Sequence, residues 1–397
     1  MKKSLKLHEV EIIMASPTVS IIQDEKPQIC VQKTIALLGG IQQFVHPDEK
    51  ILLKPNLVVP LKTDTGVTTN PEIISALIQL CYDAEAAKVY VGDSPFFPFK
   101  SRQTFEISGM KEAVDDAGGE CIYFDEGTYI ELASDKTLLL PKARVPKIFE
   151  SLDGFITVPR LKTHNQTIVS LSLKNQHGLV PPEDKRNFHR DDIHQKLIDL
   201  NHIIRNKLRL ALIDGTFALE GQGPTLGTPL QLNLCLASSD PVAVDSVATT
   251  LMGFLPREIT HIKLAALQGL GEMDLTKINF IGIPLENVSR QFLRPSTDII
   301  GIAPNVHVYA GGACRPGCFA WTRVGLDRLI KRNEINKYGE LTFIIGHNAN
   351  VPENLVGSVF VIGDCAAEHR EKGTFFEGCP PFEVWDLRDT LKKAKKS

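Results

Sequence analysis

GFITVPRLKTHNQTIVSLSLKNQHGLVPPEDKRNFH, residues 154–189, opens on an apolar run that reads as a buried strand ending at Pro159. Beyond it the chain is dense in bases and amides: Lys162, His164, Lys174, Asn175, Lys185 and His189. A solvated face would mix acids with these bases, yet the stretch holds just Glu183 and Asp184. Gly178 and Pro181-Pro182 mark it as turn and loop rather than helix. Lysines and histidines placed after a buried strand suit an anion, whether carboxylate, phosphate or the edge of a cofactor. A basic surface loop and a nucleic-acid patch are the competing readings.

Working outward, strands alternate with helices on both sides. EKILLKPNLVVP (49–60) reads as a buried strand delivering Lys54 and Asn56, and KVYV (88–91) as one ending at Asp93. Between them, Asn70-Pro71-Glu72 predicts a helix start, with Asn as cap and Pro at the first helical position. After the basic stretch, residues 192–207 read as a helix, 208–216 as a strand ending at Asp214, and 231–240 as a strand ending at Asp240. The pattern predicts an α/β fold, a mostly parallel sheet with helices on both faces. Ligands on such sheets bind beyond the carboxyl ends of the strands. Those ends carry Lys54, Asn56, Asp93, Lys162, His164 and Asp214; Asp240 reads equally well as a helix cap.

The composition shifts near residue 295. This predicts a core domain over 1–295 and a smaller α/β domain over 296–397. The smaller one carries Cys314, Cys318, Cys365 and Cys379, each beside Gly or Pro at a strand end. Four such thiols brought together suit a [4Fe–4S] cluster, with zinc as the alternative. A redox thiol pair or plain core cysteines also remain open, whereas no Cys-x2-Cys follows Cys318 to support radical chemistry on S-adenosylmethionine. Cys30, Cys81, Cys121 and Cys235 sit singly in apolar segments and read as core residues.

Net charge is −3 over 397 residues, with 43% hydrophobic and 23% charged residues, which excludes a general nucleic-acid binder. Glu9 and Glu11 interrupt any export signal, and no window approaches the roughly 20 apolar residues of a membrane span. A cytoplasmic protein with no membrane partner is expected.

LLKPNLV (52–58), TTNPE (68–72), VGDSP (91–95), VPRLKTH (158–164), SLKNQHGLVPPEDKRNFH (172–189), LIDGT (212–216), SSDPVAVDSVATTLMG (238–253) and HIKLAALQGLGE (261–272) together resemble the domain of unknown function 362 family. The resemblance implies an iron–sulfur protein, often with an appended ferredoxin-like segment. This chain departs there, since four dispersed cysteines replace a double ferredoxin run. A more distant similarity in layout to nickel-dependent hydroxy-acid racemases implies another role for His164 and His189.

The combined expectation is an iron–sulfur oxidoreductase acting on an anionic small molecule. Lys54, Asn56, Asp93, Lys162, Asn175, Lys185 and Asp214 would bind substrate, and His164, His189 and Lys174 would serve catalysis. An electron-donor protein and a second copy of the chain are partners compatible with it. The alternatives are a non-catalytic binding or carrier protein with a structural cluster, and a metal-dependent racemase-like enzyme.

Overall fold

The computed structural model describes residues 16–394, so the reading of the N-terminal segment lies outside the described residues. The strands in chain order are β1 (Thr18–Gln23), β2 (Lys50–Pro55), β3 (Lys88–Asp93), β4 (Glu120–Tyr123), β5 (Tyr129–Ala133), β6 (Lys142–Pro146), β7 (Gly154–Val158) and β8 (Arg160–His164). They continue as β9 (Ile168–Ser170), β10 (Leu208–Glu220), β11 (Thr228–Ser238), β12 (Asn279–Gly282), β13 (Val306–Ala310), β14 (Leu341–Ile345), β15 (Ser358–Ile362) and β16 (Thr374–Phe376).

The main sheet runs β12-β1-β11-β10-β7-β2-β3-β4, with β8 paired to β10 and β9 to β8. β10, β7, β2, β3 and β4 are mutually parallel. β11 is antiparallel to both its neighbours, so the sheet is mixed, though mostly parallel. Alternate residues of β2 serve opposite faces, as a period of two requires. Ile51 and Leu53 pack with the helices Pro27–Leu37 and Pro71–Asp83, while Leu52 joins Phe155 and the helix Ile193–Ile204. Asn70 caps its helix as the sequence predicts, its side chain accepting from the Glu72 N–H at 3.0 Å.

Two expectations change, and the open choice at Asp240 goes to the cap. The basic stretch is no plain loop: it folds as β8, β9, the short helix Ser172–Asn175 and the helix Pro182–Phe188. Asp214 does not end a strand, because β10 runs on to Glu220 through a register shift between Gly215 and Phe217. Asp240 is a helix cap, accepting from the Val242 and Ala243 N–H groups.

The C-terminal sheet is separate, parallel throughout, in the order β13-β14-β15-β16. It has its own core around Phe343, Phe360, Leu326 and Leu329. Because its strands are parallel, the residues that follow β13, β15 and β16 leave from one edge. Those are the segments bearing Cys314, Cys365 and Cys379. Among the described residues no helix is long and apolar enough to cross a membrane.

Candidate functional site

Parallel pairing puts the ends of β2 and β3 side by side, and β8 lies just past the end of β7. Lys54 and Asp93 meet there as a buried ion pair at 2.8 Å, their side chains 0% and 3% exposed. Asp93 also accepts from the Leu57 N–H at 2.7 Å. Burial lowers the Lys54 ammonium, and the facing Asp93 carboxylate opposes that. A Cβ on Gly178 would fall 2.0 Å from Asp93 Oδ1 and 2.5 Å from Lys54 Nζ, so glycine alone lets the chain cross this pair. Removing one partner of a buried pair strands the other charge. Asp93→Asn is therefore expected to destabilise the protein by about 3–5 kcal/mol, read as a lower urea midpoint. An unchanged midpoint would show that the pair does not support the fold.

Above the pair lies a cavity of about 120 Å³, where one water needs roughly 10–15 Å³. Asn56, Asp93, Lys162, His164, Lys174, Asn175, Lys185 and His189 all line it. Lys54 and Asp214 do not. Asp214 is buried against the Arg160 guanidinium and accepts from the Asn70 N–H, tying β10 to the helix start at Pro71. Its position accounts for strand packing, not ligand contact.

The cavity's bases differ in how they are satisfied. Lys162 donates to Asn56 Oδ1 at 2.6 Å and Val67 O at 2.9 Å, and Asn56 in turn donates to Asn175 Oδ1. Asn175 closes the network by donating to Lys54 O and Thr157 Oγ1. Lys185 reaches three acceptors, Ser94 O, Ser94 Oγ and Pro95 O, within 2.9 Å. Burial nevertheless pushes its ammonium down to about 7. Lys174 differs: among the described residues its ammonium meets no hydrogen-bond or ion-pair partner, and burial alone pushes it down to about 8. Two ammonium groups already satisfied by protein leave Lys174 as the lysine that faces the cavity without a partner among the described residues.

The two histidines present opposite chemistry. His164 Nδ1 accepts from the Gln166 N–H at 3.1 Å, which leaves its proton on Nε2. His189 Nδ1 lies 2.8 Å from Lys185 O, an acceptor, so its proton sits on Nδ1 and its Nε2 carries a lone pair. Burial, followed by the nearby Lys174 charge, holds both rings neutral: His164 falls well below the ordinary range and His189 to about 3. Neither is an imidazolium ready to give a proton in the ligand-free protein.

The sequence reading missed two groups. Asp245 accepts from the Ser172 N–H and Oγ and from the Leu173 N–H, at 2.5–2.9 Å, and so fixes the helix that aims Lys174. Its chain position, early in the helix Pro241–Leu251, gave no hint of a partner over seventy residues away. The second group comes from the C-terminal unit. Trp321, Val324 and Arg328 recur on one face of the helix Ala320–Lys331 and, with Trp385, wall the cavity. Phe96 and Trp321 lie 6.0 Å apart and Trp321 and Phe382 4.6 Å, with the His189 ring edge-on to both Trp321 and Phe382. The i, i+3, i+7 spacing was visible; what it faced was not.

The cysteine segments sit beside this wall. Gln166, which lines the cavity, donates to Pro316 O inside the Cys314–Cys318 turn at 2.9 Å, and Asn165 donates to Ala320 O. The Cys365 and Cys379 segments are joined to each other: the Asp364 N–H donates to Gly378 O, and the Gly378 N–H to Asp364 Oδ1. A Cβ on Gly317 would fall 2.2 Å from Cys314 Sγ, and one on Gly363 2.5 Å from Cys318 Sγ. Burial, then the neighbouring Cys314, Cys365 and Cys379, pushes the Cys318 thiol up to about 12. Among the described residues no three of His, Cys, Asp and Glu gather around one point as ligands of a single ion.

The family model described as "Domain of unknown function (DUF362)" matches residues 51–250. The chain belongs to this family. The match holds every cavity residue drawn from the main sheet and stops before the cysteine-bearing unit. A thylakoid-associated protein of Synechocystis sp. is 31% identical over 240 residues, covering 59% of this chain and 72% of that protein. The lactate racemase apoprotein of Thermoanaerobacterium thermosaccharolyticum superposes with a TM-score of 0.41 at 12% identity. That superposition covers 60% of this chain and 57% of the racemase chain.

Proposed function

We propose that this family member is an iron–sulfur oxidoreductase acting on a small anionic molecule held in the lysine–histidine cavity. The observation that carries it is the Lys174 ammonium, without a partner among the described residues, facing a cavity next to the cysteine turn. Cys314, Cys318, Cys365 and Cys379 would hold a [4Fe–4S] cluster, each thiolate on its own iron. Gly317 and Gly363 fit that role, since any side chain there would displace a sulfur. Zinc would instead need its four ligands around one point.

A bound cluster would supply electrons one at a time. The chain's own residues do the rest. Lys174 holds the anionic group, and the Asn56–Lys162–Asn175 network fixes the floor beneath it. His164 offers an Nε2–H to an oxygen that gains charge, and His189 offers a lone pair to a leaving proton. An anion on Lys174 would raise both histidines, so ligand entry itself primes proton transfer. Phe96, Trp321 and Trp385 cover the cavity and exclude water. A free electron-donor protein and a second copy of the chain remain compatible partners.

The carrier reading is separated by coupling. Iron- and sulfide-loaded protein, reduced anaerobically with dithionite, is expected to change its electron paramagnetic resonance spectrum when phosphate or succinate saturates the cavity. Binding without any spectral change would move the assignment to a carrier with a structural cluster. Protein that takes up no iron would remove the oxidoreductase reading.

A further inference from the structure

A second cavity, of about 250 Å³, adjoins the first and shares Val59, Thr225, Leu226 and Arg328 with it. Its remaining walls are the apolar Leu61 and Phe99 on one side and Lys331 and Arg332 on the other. Three bases thus stand at the far end of a path that begins at Lys174. Bases in a helix's last turn favour the helix dipole, which accounts for Arg328 and Lys331 standing there, with the exposed Arg332 closing the helix. It does not account for the burial of Arg328. That guanidinium lies over the Trp385 ring at 4.2 Å, and its Nε is buried without a hydrogen-bond partner. Among the described residues no carboxylate lies within ion-pair distance of it, although the Asp386 carboxylate lies near enough to favour its charge. Burial lowers it to about 10 while it remains charged at neutral pH. Phe96, Trp321 and Trp385 line the first cavity, the two indoles lying 6.0 and 5.6 Å from the Phe96 ring.

We propose that the substrate carries two anionic groups joined by a flat or extended apolar spacer, one group on Lys174 and the other on Arg328, Lys331 and Arg332. This rests on the reading of the Lys174 cavity as an anion site and adds its second end. A ring or unsaturated chain matches the aromatic lining, because offset ring contacts favour planar groups over branched ones. Arg328 offers a planar fork that takes a carboxylate or phosphate oxygen pair. The ligand then spans both structural units, so it closes the C-terminal helix onto the main sheet.

The protein reports on this itself. Its two tryptophans, Trp321 and Trp385, both line the cavity, so their fluorescence reads occupancy with no added label. Full-length protein is titrated with straight α,ω-dicarboxylates from succinate to sebacate, with the matching monocarboxylates and with inorganic phosphate. One chain length is expected to bind at least tenfold tighter than its monocarboxylate. Arg328→Met should erase that advantage, so that the dicarboxylate binds no tighter than its monocarboxylate. Arg328→Lys should restore part of it, and the exposed pair Lys331→Met and Arg332→Met should reduce it without bearing on folding. Equal affinity for mono- and dicarboxylates, unaltered by Arg328→Met, would overturn the second end while leaving the anion site intact. If no anion binds even at the wild-type Lys174 site, the underlying reading falls with it.

Discussion

Anaerobically purified protein is expected to be brown and to hold about four irons per chain, the content of one four-cysteine cubane. Changing any one of Cys314, Cys318, Cys365 or Cys379 to Ser should remove most of that iron. The four reach the same edge by different routes, from the ends of β13, β15 and β16 and the start of the helix that follows β13. Cys314 is exposed, Cys318 buried, and Cys365 and Cys379 half-buried, so an incoming cluster would meet one open side. Burial and neighbouring thiols raise Cys318, and thiolate ligation must overcome that, which makes loading favour alkaline over acidic buffer. Cys30, Cys81 and Cys235 are fully buried in the main-sheet core, with Cys121 packed beside them. Their change to Ala should leave iron content untouched and cost the fold on the order of 1 kcal/mol each. A colourless protein carrying one zinc would overturn the assignment. So would equal iron loss from Cys81→Ala and Cys365→Ser.

Much of the main sheet was legible because parallel strands buried on both faces read as unbroken apolar runs, as in KILL, KVYV and GFITV. Asn70-Pro71-Glu72 announced its helix through local capping alone. Two features resisted. The direction of β11 is set by its pairing with β1 and β10, and no local residue encodes that. The β8–β9 hairpin turns through Asn165-Gln166-Thr167 and enters β9 at Ile168 with φ 65°, a value that favours glycine or asparagine. The tight return is held instead by tertiary bonds from Gln166 to Pro316 O in the cysteine turn and from Asn165 to Ala320 O at the start of the next helix.

For the site, strand-end logic placed Asn56, Asp93, Lys162 and His164 on one cavity, since the ends of parallel neighbours must share an edge. The same logic misplaced Asp214, whose carboxylate Arg160 claims. Lys54 fell between these outcomes: it sits at the correct edge, but its charge is consumed by Asp93. Residue type cannot say which of several lysines is left free. Only the count of acceptors around each ammonium does, and that count singles out Lys174.

Lys174→Met is expected to weaken binding of phosphate or succinate roughly 10–150-fold, the equivalent of one charged hydrogen bond worth about 1.5–3 kcal/mol. The same change should not harm the ligand-free fold, and should slightly stabilise it, because it removes a buried charge that has no partner. The two measurements must therefore move in opposite directions, which a general packing defect would not do. pH gives a second, independent sign. Burial lowers Lys174 from 10.5 to about 8, so between those values the unfolded chain binds the proton and the folded chain does not. Stability of the ligand-free protein should accordingly rise with pH across that window. Anion affinity should fall as pH climbs through about 8, since the ligand needs the ammonium. Titrating tryptophan fluorescence with phosphate from pH 6 to 10, beside urea melts at the same pH values, reads both slopes. In Lys174→Met the affinity slope should flatten and the stability slope should lessen by the share of one proton, the buried Lys185 keeping its own part. Wild-type affinity that is level across this range, or a variant that binds phosphate as tightly as the parent, would remove Lys174 from the site.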